Sequence, residues 1–219
     1  MFAYISIVLC MILYPAIYAA VIYWIRESFE KEENKKRIPF SDKREFVVLL
    51  LGEIALVRIW FSLGRCDLFH LTFELLYFML IAISILCMTD FWERIVPNRI
   101  LLIWLFIFIL TMGWQGVRNI DPVIEILPSV VLGFVFCLIS FGLGYILSHG
   151  SMGAGDVKLS FLMGLFLTGQ YVVGAILYGC IAAAIYSIVQ LIRKKVTKKD
   201  KLPFVPFLFI GLIIRYLVG

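Results

Sequence analysis

The sequence Gly153-Ala154-Gly155-Asp156-Val157-Lys158-Leu159 is a charged, glycine-containing stretch between two long apolar segments. One apolar segment ends near Leu147 and the next begins at Leu159. Glycine gives the backbone extra conformational freedom and lets other groups approach closely. The stretch therefore predicts a hinge between two helices, with Asp156 at the point where the second helix begins.

The rest of the chain has the composition of a membrane protein. Of its 219 residues, 63% are hydrophobic and 16% are charged, whereas soluble domains have about 45–50% apolar and about 25% charged residues. The mean hydropathy is +1.00. We expect an all-α, polytopic integral membrane helix bundle in which residues 1–219 form a single membrane domain.

Apolar segments long enough to cross a bilayer, about 17–25 residues each, recur along the chain. They predict about eight transmembrane helices, near residues 3–25, 46–63, 70–89, 99–114, 123–147, 157–169, 171–192 and 203–218. The sixth segment is the shortest, and its Gly164 and Gly169 suit a bend or close helix packing. The first segment has no basic residues before it, which predicts an uncleaved membrane helix rather than a signal peptide.

The basic residues are unevenly distributed between the loops. Most of the 20 Lys and Arg residues lie in the loops after the first, third, fifth and seventh segments. The positive-inside rule then predicts a multi-pass protein of the cell's inner or plasma membrane with both termini outside. The short charged loop 26–45 and the loops 90–99 and 148–158 would face the cytoplasm. Basic clusters in such loops favour contact with anionic lipid over nucleic-acid binding.

Two aspartates fall on that same predicted side of the membrane. Asp90 ends the third apolar segment and Asp156 begins the sixth. Two carboxylates brought close together share a proton, so one can activate a water molecule while the other protonates or polarises a scissile carbonyl. Such a pair needs no metal ion or cofactor. The residues alone leave two simpler alternatives open: Asp156 as a helix N-cap, and Asp90 as an ordinary interfacial residue.

Two charged residues lie inside the second apolar segment. Glu53 and Arg58 are five residues apart, and we expect an internal ion pair between them. Glu74 and Glu125, in the third and fifth segments, are interpreted as structural or interfacial residues.

The stretch Gly153–Leu159 resembles the G-x-G-D-x-K-L motif of the type IV prepilin peptidase family. In that family the first aspartate is followed at a fixed distance by a hydrophobic-Pro-Asp/Asn element, and here Asp90 is followed by Val96-Pro97-Asn98 at the matching offset. The segment Leu202-Pro203-Phe204-Val205-Pro206-Phe207 resembles the family's P-F-x-P-F entry to its last span. The resemblance covers residues 70–218.

The resemblance implies a membrane aspartic endopeptidase of the GxGD type. It implies that Asp90 and Asp156 form the catalytic pair, and that the partners are type IV prepilin or pseudopilin precursors, whose basic leader is removed at the cytoplasmic face, together with membrane lipid. The further residues that we assign to motif support or substrate binding are Gly153, Gly155, Lys158, Pro97, Asn98 and Glu93. Glu93 would offset the repulsion between a basic leader and the basic loops.

The chain departs from many bacterial members of that family in one region. Those members carry a cytoplasmic domain with two C-x-x-C pairs between the first two spans, and they often also N-methylate the new N-terminus. Here that region is the short loop 26–45 without cysteine, which argues against a methyltransferase activity.

Two other functions remain as alternatives. Another GxGD intramembrane protease, similar to signal peptide peptidase or presenilin, would carry a Tyr-Asp motif, whereas Thr89 precedes Asp90 here. A non-enzymatic, proton-coupled transporter would show inverted repeats and an acidic pair near the bilayer midplane, and the sequence shows neither.

Overall fold

The computed structural model of the protein describes residues 2–30, 43–63, 69–147, 153–193 and 203–218. These residues form seven helices: α1 (Phe2–Glu30), α2 (Lys43–Leu63), α3 (Phe69–Glu93), α4 (Asn98–Arg118), α5 (Asp121–Leu147), α6 (Ala154–Ile192) and α7 (Val205–Val218). No strand occurs in these ranges. The predicted all-α membrane bundle is confirmed.

Five helices of the described part are long and apolar enough to cross a membrane. The candidate spans are Leu9–Glu27, Leu71–Glu93, Asn98–Arg118, Asp121–Leu147 and Tyr171–Ile192. The apolar helix α7 is shorter, at 14 residues. Helix α2 begins with Lys43, Arg44 and Glu45 and carries Glu53 and Arg58 further along, so it is more polar than the other helices.

The sixth and seventh predicted segments follow one another without a loop and separate at Thr168. This residue has φ 59° and ψ 171° inside α6, a backbone conformation that a β-branched residue rarely adopts. Helix α6 therefore consists of two helical segments, 154–167 (α6a) and 169–192 (α6b). Counted separately, they bring the helices of the described residues to eight, whereas the sequence predicted eight transmembrane helices and five of these helices qualify as candidate spans.

Aromatic contacts show that α6b runs antiparallel to α7. Tyr171, at the start of α6b, packs against Tyr216 near the end of α7, with ring centroids 6.1 Å apart. Tyr186, later in α6b, packs against Phe207 near the start of α7, at 5.3 Å. The end of α6b therefore lies beside the start of α7.

Helices α5 and α6 are in direct backbone contact at two glycines. A Cβ atom on Gly133 would lie 2.6 Å from the carbonyl oxygen of Gly164, and one on Gly164 would lie 2.7 Å from that of Gly133. Small residues permit this close approach of membrane helices. The backbone N–H of Gly169 donates to Ser129 Oγ at 3.2 Å. This hydrogen bond attaches to α5 the point after Thr168 where the chain changes direction from α6a to α6b. The roles expected for Gly164 and Gly169 are confirmed.

Helix α3 is the central helix of the bundle. Its residues 79–90 are all buried, and 83% of its apolar window is buried, against 22% in each of the other four candidate spans. A helix that is apolar on all sides is expected to be surrounded by protein. Asp90, in the last turn of α3, consequently lies inside the bundle.

The predicted ion pair between Glu53 and Arg58 is wrong. Side chains five residues apart point about 140° away from each other around a helix. Arg58 Nε instead donates to the carbonyl oxygen of Leu217, at 3.3 Å, near the end of α7, where the helix dipole favours a cation. Within α1 and α2, Arg26 pairs with Glu45 and links the end of one helix to the start of the next.

Candidate active site

Four helix ends meet where the two sequence motifs lie, and we call this end of the bundle the motif face. It contains the last turn of α3, which ends at Glu93, and the first turns of α4, α6a and α7, which begin at Asn98, Ala154 and Val205. Direct contacts between these ends, described below, bring together residues from both motifs.

Asp90 is the more enclosed of the two aspartates, with only 4% of its surface exposed. Its Oδ2 accepts a hydrogen bond from the backbone N–H of Val205, at 3.1 Å, and the backbone of Phe204 also hydrogen-bonds this carboxylate. Val205 is the first residue of α7, and the first N–H groups of a helix have no partner within that helix. The positive end of α7 therefore faces the Asp90 carboxylate and partly offsets the cost of burying a negative charge there.

The contribution of α7 was missed by the sequence analysis. The segment Pro203–Phe207 was matched to a family pattern without a role. Pro206 is the second residue of α7, where a missing N–H group breaks no intrahelical hydrogen bond, so the two prolines are compatible with a helix that starts beside Asp90. The repeated Pro-Phe pattern was the one available signal of this contact.

Asp156 lies in the first turn of α6a and is half-buried. Its backbone N–H donates to the carbonyl oxygen of Gly153, at 3.1 Å. The N-cap residue is Gly153, and no side chain caps this helix, so the alternative of Asp156 as a helix N-cap is wrong. A Cβ atom on Gly153 would lie 3.0 Å from Asp156 Oδ2, and the absence of that atom gives the carboxylate room.

The two aspartates interact electrostatically. Asp156 precedes the apolar part of α6a, and burial, followed by the negative charge of Asp90, raises the pKa of its carboxyl group to about 6. A nearby negative charge disfavours the ionised form of a carboxyl group. The structure therefore places the two aspartates close enough for the charge of Asp90 to act on Asp156.

The two motifs also touch each other where the Gly155 backbone packs against the Val96 side chain. A Cβ atom on Gly155 would lie 2.9 Å from Val96 Cβ, so a glycine is needed for this approach of α6a to the segment before α4. Pro97 is the N-cap residue of α4, and its carbonyl oxygen accepts a hydrogen bond from the N–H of Ile100, at 3.1 Å. These contacts fix the position of the first turn of α6a relative to α4.

A second link between the motifs is made by side chains. Lys158 Nζ donates to Asn98 Oδ1 at 3.0 Å, and both residues are exposed at the motif face. Glu93 is the half-buried last residue of α3, one turn after Asp90. Arg94 follows with φ 55° and ends the helix.

Parts of two predicted loops lie outside the described residues. These parts are 31–42 of the loop 26–45 and 148–152 of the loop 148–158. Within the part of the chain that is described, the His, Cys, Asp and Glu side chains form no group of three that could hold a metal ion.

The fold and the site define the class of the protein: a polytopic membrane helix bundle with two coupled carboxyl groups at one face. The model of the type IV leader peptidase family matches residues 75–188, which is just over half of the chain and includes both aspartates. The chain belongs to this family.

The chain is also similar to a curated protein. The prepilin leader peptidase/N-methyltransferase of Bacillus subtilis (strain 168) is 27% identical to this chain over 135 residues, which cover 62% of this chain and 52% of that protein. The match thus spans about half the length of the relative. No solved structure matches the chain.

Proposed function

We propose that the protein is a membrane aspartic endopeptidase that removes the basic leader from type IV prepilin-like precursors, with Asp90 and Asp156 as its catalytic pair. The observation that carries this proposal is the coupling of the two carboxyl groups at the motif face, where the charge of Asp90 contributes to a pKa of about 6 for Asp156. Membership of the type IV leader peptidase family supports the reaction class.

The different surroundings of the two aspartates support different roles in hydrolysis. Asp90, whose negative charge is stabilised by the start of α7, acts as the general base and takes a proton from the attacking water. Asp156, whose pKa is raised to about 6, acts from its protonated form, which predominates below that pH, and donates its proton to the scissile carbonyl oxygen as the tetrahedral intermediate forms.

Collapse of the intermediate restores the pair. The carbon–nitrogen bond breaks, the leaving amine takes the proton that Asp90 received from water, and the hydroxyl proton of the intermediate returns to Asp156 as the carboxylic product forms. Each turnover consumes one water molecule and leaves both aspartates in their starting states. The pair needs no cofactor for this sequence.

The substrate and the orientation are part of the proposal. The motif face is placed on the cytoplasmic side of the cell's inner or plasma membrane, with both termini outside, because the predicted loops on that side hold most of the basic residues. Gly153, Gly155, Pro97 and Asn98 hold the first turns of α4 and α6a in place, and Glu93 contributes a negative charge near the basic leader. The loop 26–45 has no cysteine pairs, so we propose peptidase activity without methyltransferase activity.

The test is cleavage of a precursor with a basic leader, a glycine and an apolar helix by the purified protein in lipid vesicles. Mass spectrometry locates the cut and shows whether the product is methylated when a methyl donor is supplied. We expect cleavage after the glycine, and a loss of about 10²–10⁴-fold in Asp90→Asn and in Asp156→Asn because each variant removes one proton-transfer group.

Asp121→Asn is the matched control, because it makes the same chemical change at an exposed aspartate in the first turn of α5. We expect this variant to cleave like the wild type. Normal cleavage by either Asp90→Asn or Asp156→Asn would rule out the paired mechanism.

A further inference from the structure

An apolar groove of about 500 Å³ opens beside the motif face between α4, α5 and α6a. Asn98 and Lys158 line its polar end, and they are the two residues whose side chains are hydrogen-bonded at 3.0 Å. The groove therefore begins at the motif face, on the side of α6a that carries Lys158. Asp156, two residues earlier, lies about 160° away around that helix.

The two main walls of the groove are helix faces in the same register. One wall consists of Leu101, Leu102 and Leu105 of α4, which follow Asn98 at intervals of three, four and seven residues. The corresponding wall of α6a follows Lys158 at the same intervals. Because the hydrogen bond between Asn98 and Lys158 aligns the two starting points, each wall extends about 10 Å from the motif face into the apolar region.

The groove is closed at its floor and open at its rim. Leu101 and Leu162 are buried, with exposures of 8% and 4%, whereas Leu102 is 64% exposed. Phe134 of α5 adds an aromatic side chain that packs on Phe161, with ring centroids 5.9 Å apart. An apolar helix can dock in such a groove by placing its own side chains at positions i, i+3, i+4 and i+7 between the walls.

We propose that this groove binds the apolar stalk helix of the precursor, with the N-terminal end of the stalk at Asn98 and Lys158. This inference rests on the proposed function. Both α4 and α6a begin at the motif face, so a stalk parallel to them starts at the same depth as Asp156 and runs into the bilayer. The leader, which precedes the stalk, then leaves the groove at the polar end, and the scissile bond between leader and stalk reaches the carboxyl groups by crossing the first turn of α6a.

Two neighbouring residues of α4 provide a matched pair for the test. Leu102 lines the groove and is 64% exposed, whereas Ile103 does not line it and is 51% exposed. The two residues are about 100° apart around the helix at nearly the same depth. A photo-reactive phenylalanine analogue is placed at position 102 or 103 in the Asp156→Asn background, so that bound precursor is not consumed.

We expect the probe at position 102 to cross-link to the precursor stalk several-fold more than the probe at position 103. In the otherwise unchanged protein, we expect Leu102→Trp to raise KM for the full precursor about tenfold, as for a blocked anchor position, and Ile103→Trp to leave KM unchanged. Both tryptophans lie at lipid-exposed positions, and equal thermal unfolding midpoints confirm that the variants are folded.

Equal cross-linking of the precursor at the two positions would overturn the proposal. So would cross-linking of phospholipid but not precursor at position 102, which would identify the groove as a lipid site. If the wild-type protein cleaves no precursor while the probe at position 102 still captures the stalk, the proposed hydrolysis fails and the binding groove stands. If cleavage occurs without selective capture at position 102, the proposed binding groove fails and the proposed hydrolysis stands.

Discussion

Asp90 and Asp156 lie at opposite kinds of helix end and are stabilised in different ways. Asp90 is in the last turn of α3, where the helix dipole disfavours a negative charge, and it is almost completely buried. Asp156 is in the first turn of α6a, where the dipole favours a negative charge, and it is only half-buried. The carboxylate in the less favourable local position is the one that receives a hydrogen bond from another helix, at Val205.

The two carboxyl groups differ in how far along the chain the residues that surround them lie. The surroundings of Asp156 come largely from its own stretch of chain, in which Gly153 leaves room for the carboxylate. The support of Asp90 comes from a residue 115 positions away in the sequence. Two similar side chains can therefore take different catalytic roles, because one depends on its own helix and the other on the docking of α7.

The strongest test of this comparison removes the distant support of Asp90. Val205→Pro deletes the N–H donor at the first position of α7, where proline is compatible with a helix. We expect kcat/KM for precursor cleavage to fall about tenfold to hundredfold, because a hydrogen bond to a charged group contributes about 1.5–3 kcal/mol. Val205→Ala keeps the N–H group and is the control. Equal activity of the two variants would show that the hydrogen bond from α7 does not support Asp90.

The next test disturbs the local surroundings of Asp156. Gly155→Ala places a Cβ atom 2.9 Å from Val96 Cβ, which must push the first turn of α6a away from α4. We expect a loss of about 1–3 kcal/mol in the free energy of unfolding, typical of overpacking, and a decrease in cleavage rate from the displacement of Asp156. Thermal unfolding and cleavage assays measure the two effects.

The same contact offers a rescue experiment. Val96→Gly removes the opposing Cβ atom, so the double variant Gly155→Ala, Val96→Gly should recover part of both losses. Purely additive effects of the two substitutions would mean that the contact between positions 155 and 96 does not cause the losses of stability and cleavage rate.

A titration tests the coupling itself. Burial, followed by the charge of Asp90, raises the pKa of Asp156 from 3.8 to about 6. Between these values the folded protein holds a proton that the unfolded chain has released, so the contribution of Asp156 to stability falls as the pH rises from 3.8 to about 6. In the proposed mechanism Asp156 supplies a proton, so kcat/KM should also fall as the pH rises through about 6.

Infrared spectroscopy of isotope-labelled aspartate follows the protonated carboxyl groups directly. We expect the pKa of Asp156 to be lower in Asp90→Asn, because the variant removes a negative charge, and unchanged in Asp121→Asn. An unchanged pKa of Asp156 in Asp90→Asn would show that the two carboxyl groups are not coupled.

The smallest expected effect concerns the exposed link between the motifs. Lys158→Gln removes the charge of the side chain that donates to Asn98. Because such exposed interactions contribute about 1 kcal/mol or less, we expect precursor cleavage to fall by no more than about fivefold. A loss as large as that of Asp156→Asn in the same assay would place Lys158 among the residues that act on the substrate.

The helical architecture was largely predictable from local sequence. The long apolar segments predicted the helices to within a few residues at most ends, and Gly164 and Gly169 predicted the close packing of α5 on α6. The reversal itself occurs at Thr168, with φ 59°, and no local signal singles out a threonine for that conformation. It forms where the contact of Gly133 with Gly164 and the hydrogen bond from Gly169 to Ser129 hold the chain.

Interactions between distant residues were less predictable. Arg58 was expected to pair with Glu53, but its partner is the carbonyl of Leu217 on α7. The angular spacing of residues along one helix could exclude the expected pair, whereas the true partner depends on how α2 and α7 pack. The same applies to the contact of Gly155 with Val96, which joins two motifs that the sequence could only place on the same side.

The sequence by itself determined the membrane class, the helices and the placement of Asp90 and Asp156 at helix ends, because apolar length and charge position act locally along the chain. Only the tertiary structure decided which carboxyl group is enclosed, which donor reaches it and where an apolar groove meets the motif face. Burial and hydrogen bonding depend on the neighbours that packing supplies, and for Asp90 that neighbour is the first turn of α7.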